Sequence, residues 1–176
     1  PLFALKNRNG VYLRKNKVKA HPTYVSDATV PDIERTRDFL ANGLSSAGQK
    51  LSLRLSQALS ERRLRLKPDY FWCSPLAGWE MPARIAEDIA QSNLVISKGD
   101  ANYRRLVGDR HWPYTMPFED ILMYFPVSLL ALRVFKSEVA VGLRPGQAEA
   151  LSQQDPLWMT NGRWGIIQFY SKREKP

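Results

Sequence analysis

The sequence predicts an α/β layered domain with a mainly parallel sheet flanked by helices. Short apolar runs of strand length alternate along the chain with segments whose apolar residues recur every three or four positions. One joint is especially clear. The run Asn93-Leu94-Val95-Ile96 stops at Lys98-Gly99-Asp100, and Tyr103, Leu106 and Val107 then follow at helical spacing. A buried strand that ends in a glycine turn and feeds a helix is where an open α/β sheet places its ligand site. The third observation is size. With 176 residues, 44% of them apolar and 24% charged, the chain suffices for one domain with a hydrophobic core.

The elements follow in order. Residues 11–19 alternate weakly and are expected to be extended, as are residues 21–27, because Pro22 disfavours helix at His21. Thr29 has the character of a helix N-cap, with Pro31 and Asp32 in the first turn, so a helix is expected over residues 30–40, ended at Asn42-Gly43. A second starts at Ser45 or Ser46 and aligns Leu51, Leu55 and Leu59 on one face. Residues 64–72 alternate as a strand interrupted near Pro68. A loop bracketed by Pro75, Gly78 and Pro82 leads to a helix over 83–91, the strand 94–97 and the helix 100–107. A Pro-rich aromatic loop through Trp112 and Tyr114 reaches a helix over 118–124. Strands are expected at 129–132 and 139–141, a turn at Pro145-Gly146, a helix at 147–151 and a final strand at 164–170, in which Ile166, Gln168 and Tyr170 alternate.

Composition narrows the function classes. No run approaches the roughly 18–20 apolar residues of a membrane span, and a single cysteine, Cys73, forms no internal disulfide. A cytoplasmic protein without a membrane role is expected. The net charge of +9 comes from separate basic clusters at residues 6–19, 61–67 and 172–175. These read as solvated faces rather than one nucleic-acid stripe, so no nucleic-acid partner is expected. The P-loop, GxGxxG, GxSxG and CxxC patterns are all absent.

Three segments end extended runs in polar residues: Val25-Ser26-Asp27, Ile96-Ser97-Lys98-Gly99-Asp100 and Leu132-Arg133-Val134-Phe135-Lys136. If the carboxyl ends of these strands lie side by side, Asp27, Lys98, Asp100, Asn102, Arg104, Arg133 and Lys136 converge on one pocket. A carboxylate among several cations suits a divalent metal with a phosphate. The alternative is a turn residue at Asp27 and surface charges at Arg133 and Lys136.

The run Ser97-Lys98-Gly99-Asp100-Ala101-Asn102-Tyr103-Arg104, with Gly108-Asp109-Arg110 and Trp112-Pro113 behind it, resembles the signature of the damage-control phosphatase family (the ARMT1-like, DUF89 group). The likeness extends to residues 19–28, to residues 132–139 and to Trp164-Gly165-Ile166-Ile167-Gln168. It implies a Rossmann-like fold and a metal-dependent phosphatase, with Mn²⁺ or Mg²⁺, acting on small phosphorylated metabolites such as sugar phosphates. It also implies roles for residues. Asp27 matches a metal-binding aspartate and is expected to be catalytic together with Lys136. Asp100, Asn102, Tyr103 and Arg104 match the substrate-binding run, with Ala101 in place of Leu. Arg133 and Lys136 match the Arg-Thr-x-Lys motif, with Val134 in place of Thr, and Lys98 joins them as a substrate cation.

The family's Asp-Asn metal pair, which precedes the Val-Ser-Asp motif, has no counterpart here, since Asp27 is the first acidic residue. Residues 1–176 are therefore expected to be one N-terminally incomplete domain. Two other readings stay open: a non-catalytic module that binds a phosphometabolite, and an S-adenosylmethionine-dependent carboxyl methyltransferase. The oligomeric state is left open.

Overall fold

The computed structural model describes the backbone of residues 16–20 and all of residues 28–172. The chain forms two compact units, residues 1–74 and 75–176.

In the first unit, strand β1 (Asn16–Ala20) pairs in parallel with β2 (Leu64–Pro68), with Asn16 opposite Leu64 and Ala20 opposite Pro68. The crossover holds two helices, α1 (Val30–Asn42) and α2 (Ser46–Ser60). Thr29 caps α1 as its sequence predicts. Its hydroxyl accepts from the Asp32 N–H, and the Asp32 carboxylate takes the Thr29 N–H at 2.9 Å. These bonds to Thr29, with Arg35 behind them, hold the Asp32 carboxyl well below its usual range. The leucine stripe of α2 is less buried than its spacing suggests: Leu51 is exposed, and the one buried residue is Ser52, whose hydroxyl donates to the Arg37 carbonyl at 2.8 Å.

The strand expected over 64–72 stops at Pro68. The Asp69 side chain accepts from the Phe71 N–H at 2.9 Å and turns the chain into a 3-10 helix, Tyr70–Cys73. Strand periodicity here was carried by aromatic residues that belong to a turn.

The second unit contains α3 (Ala83–Ala90), β3 (Val95–Lys98), α4 (Asp100–Leu106), α5 (Phe118–Ile121), β4 (Leu129–Val134), α6 (Gln147–Gln154) and β5 (Gly165–Tyr170). Its sheet runs in the order β3-β4-β5. Strands β3 and β4 are parallel, with Val95 opposite Leu129 and Lys98 opposite Leu132. Strand β5 returns antiparallel, so the sheet is mixed rather than mainly parallel. One face, bearing Leu129, Ala131 and Tyr170, packs on Tyr103, Leu106 and Val107 of and beside α4.

The apolar segment 139–141, expected as a strand, pairs with no strand of the described residues. The carbonyls of alternate residues are instead taken by side chains. Arg133 donates to Ser137 O and Val139 O, and Gln168 donates to Val141 O. The apolar side chains of the segment are nonetheless core, as their composition requires: Val139, Ala140 and Val141 are all buried.

Candidate functional site

The site is built where β3 and β4 end. The Gly99 N–H donates to the Leu132 carbonyl at 2.9 Å and so extends the ladder by one bond. Gly99 then turns at φ +109°, a region a side chain disfavours, and α4 begins at Asp100. This joint is the one the sequence predicts.

Asp100 reaches across to the end of β4. Its Oδ1 accepts from Arg133 Nε at 2.8 Å, from the Ser137 hydroxyl at 3.1 Å and from the Lys136 backbone N–H at 3.3 Å. Oδ2 accepts nothing from the described residues. The Asp100 side chain keeps 15% of its exposure, whereas the Arg133 side chain keeps none. The carboxylate is thus anchored by one oxygen and open at the other.

Arg133 is enclosed. Besides Asp100 it donates to Val139 O, to Ser137 O at 3.0 Å and to Ser137 Oγ at 2.9 Å. Its guanidinium carbon lies 4.5 Å from the centroids of both the Tyr103 and the Phe135 rings. A buried cation is tolerated only when paired and hydrogen-bonded, and both conditions are met. In this arrangement Arg133 faces protein, not solvent.

Tyr103 is also internal, at 1% exposure. Its ring stacks on Phe118 at 5.8 Å, and its hydroxyl donates to Gln168 Oε1 at 2.7 Å. Burial pushes the phenol up to about 12. Asn102 is half-buried, and its Nδ2 donates to the Lys98 carbonyl at 2.8 Å. Arg104 turns to the far end of α4, where its Nε meets Asp109 Oδ1 at 2.6 Å and a second nitrogen meets Oδ2. That bond raises the Arg104 pKa and lowers that of Asp109.

Lys98 and Lys136 are exposed, and among the described residues neither ammonium has an ion pair or a side-chain hydrogen bond. Their backbones flank Asp100, Lys98 from two residues upstream and Lys136 through its own N–H. Asp27, expected as the metal ligand, lies outside the described residues. Among those residues no group of three or more His, Cys, Asp or Glu is placed to hold a metal ion. His111 and Glu138 line a separate cavity of about 340 Å³ beside Trp158 and Met159, to which Asp100, Lys98 and Lys136 do not contribute.

Two side chains in this network were not singled out from the sequence. Ser137 sits next to Lys136 in the motif, and its only signal was that adjacency. Gln168 had a better one: it is a polar residue on the inward-facing register of β5, between Ile166 and Tyr170.

Among the described residues, no helix is long and apolar enough to cross a membrane. The family profile of the Damage-control phosphatase ARMT1-like domain matches residues 15–151. Relatives named Damage-control phosphatase ARMT1 are 38% identical over 161 residues in Danio rerio, 36% over 156 residues in Rattus norvegicus and 33% over 156 residues in Homo sapiens. These alignments cover 87%, 86% and 86% of this chain and 35% of each relative, so the chain spans about a third of their length. With the profile matched across most of the sequence and relatives more than 30% identical over most of this chain, the chain belongs to the damage-control phosphatase ARMT1-like family.

Proposed function

We propose that the end of the β3–β4 pair binds the phosphate and the adjoining hydroxyls of a small phosphorylated metabolite such as a sugar phosphate, as part of a metal-dependent phosphatase that hydrolyses phosphomonoesters. The observation that carries this reading is the half-open carboxylate of Asp100 between two lysines whose ammonium groups have no ion pair or hydrogen bond among the described residues. Lys98 and Lys136 supply positive charge for phosphate oxygens, and that charge counts most where negative charge accumulates during transfer. Asp100 Oδ2 accepts from a substrate hydroxyl, a role a carboxylate suits because it only accepts. Asn102 at the same joint is the second hydroxyl contact. Tyr103 and Arg133 act from behind, by fixing the carboxylate. Arg104, paired with Asp109, is the peripheral cation.

The family's Mn²⁺ or Mg²⁺ would add charge neutralisation when bound, and Asp27 is the ligand this sequence offers for it. The parallel β3–α4–β4 arrangement, with its site at the strands' carboxyl ends, supports a Rossmann-like parent sheet. The single cysteine supports a cytoplasmic setting.

The test is release of inorganic phosphate from a panel of sugar phosphates, with Mn²⁺ and with chelator. Turnover that Asp27→Asn uncouples from added metal supports the reading. Binding of sugar phosphates by calorimetry without turnover would instead favour a non-catalytic binding module. Absence of both binding and turnover refutes the site.

A further inference from the structure

The segment that carries Lys136 has no neighbouring strand among the described residues, yet three of its alternate carbonyls are bonded. Ser137 O and Val139 O are taken by Arg133, and Val141 O is taken by Gln168 Nε2 at 2.9 Å. The amide orientation of Gln168 follows from chemistry: a carbonyl only accepts, so nitrogen faces Val141, and Oε1 receives the Tyr103 hydroxyl at 2.7 Å. One side chain therefore bridges Val141, 27 residues away in sequence, to Tyr103 of α4, 65 residues away. The neighbouring backbone is shaped for it. Gly142 turns at φ +69°, and a Cβ there would stand 2.4 Å from Gln168 Nε2.

We propose that Gln168 is a positioning residue for Lys136. With Arg133 it takes the place of a neighbouring strand for residues 137–141. It thereby holds the Val141 end of the segment, while Arg133 and the Phe135 backbone hold the other end, where Lys136 donates its N–H to Asp100. Gln168 touches no substrate; it sets where the Lys136 side chain starts. The binding part of the inference rests on the phosphate reading of the site, and the tethering part does not.

The test uses the whole chain, ¹⁵N-labelled, with inorganic phosphate as probe. Gln168→Leu removes both bonds, and Gln168→Glu keeps an acceptor for Tyr103 while replacing the donor. In Gln168→Leu the Lys136 amide should lose protection from hydrogen exchange, and phosphate affinity should fall roughly fivefold, the scale of one hydrogen bond. Core amides such as Leu129 should hold their protection. Gln168→Glu should behave like the wild type at acidic pH, where the protonated carboxyl donates to Val141 O. It should lose Lys136 protection once it ionises and two acceptors face each other. A side chain that merely fills space would show no such pH profile. Unchanged protection and affinity in Gln168→Leu, a pH-independent Gln168→Glu, or equal loss of protection across the whole core would each overturn the proposal. A wild type that does not bind phosphate would refute the site reading instead, and the Lys136 amide would still decide the tether.

Discussion

Helix α4 begins and ends in an arginine–aspartate pair. At its start Asp100 meets Arg133, with side chains 15% and 0% exposed. At its end Arg104 meets Asp109, with side chains 41% and 49% exposed. Both pairs join the same two residue types at hydrogen-bond distance, but they lie in different dielectrics. Water screens the outer pair, and its contribution is small. In the inner pair the guanidinium is wholly out of water and the carboxylate mostly so, and Arg133 depends on Asp100 and on the bonds to Ser137 and Val139. The outer pair decorates the helix, while the inner pair joins helix, sheet and the Lys136 segment.

The sharpest way to break this contrast is Arg133→Met. It leaves the Asp100 carboxylate without its main donor, and the buried Val139 carbonyl and half-buried Ser137 carbonyl without theirs. The loss of stability should be about 3–5 kcal/mol, measured by urea unfolding. A loss below about 1 kcal/mol would mean the two pairs are alike after all. Asp100→Asn comes next. It leaves the buried guanidinium an acceptor but no counter-charge and should cost about 3 kcal/mol, with sugar-phosphate binding weakened as well.

Lys136→Ala removes an exposed cation that has no ion pair among the described residues. It should leave the unfolding midpoint unchanged and weaken phosphate binding about tenfold, near 1.4 kcal/mol, in a calorimetric titration. A shifted midpoint would show a structural role that the geometry does not give it. The smallest effect belongs to Asp109→Asn, at most about 0.5 kcal/mol and fading as salt is added. Its pH dependence has a definite sign. The folded pKa of Asp109 is depressed by Arg104, so this stability is present above the unfolded value of about 3.9 and lost as pH falls through the folded one. Acid titration of the midpoint in wild type and Asp109→Asn isolates it.

Much of the site was legible because its parts are local. Apolar run, lysine, glycine and helical spacing identify the Lys98-Gly99-Asp100 joint within nine residues, and the structure places a strand end and a helix start there. What could not be read was which way a side chain turns. Arg133 and Tyr103 stand in motif positions that point to substrate, but their polar atoms are directed inward. The choice depends on Asp100, 33 residues from Arg133, and on Gln168, 65 residues from Tyr103. Segment 139–141 misled for a related reason: apolar side chains at strand spacing report burial, not the identity of the hydrogen-bond partner.

The family, the α/β alternation, the Thr29–Asp32 cap and the strand–turn–helix joint could all be read along the chain, because each depends on residues a few positions apart. Packing set the antiparallel return of β5, the enclosure of Arg133 between two rings and the bond from Gln168 to Val141 where a strand would pair. Those outcomes depend on groups brought together by folding, and burial in a low dielectric sets their strength.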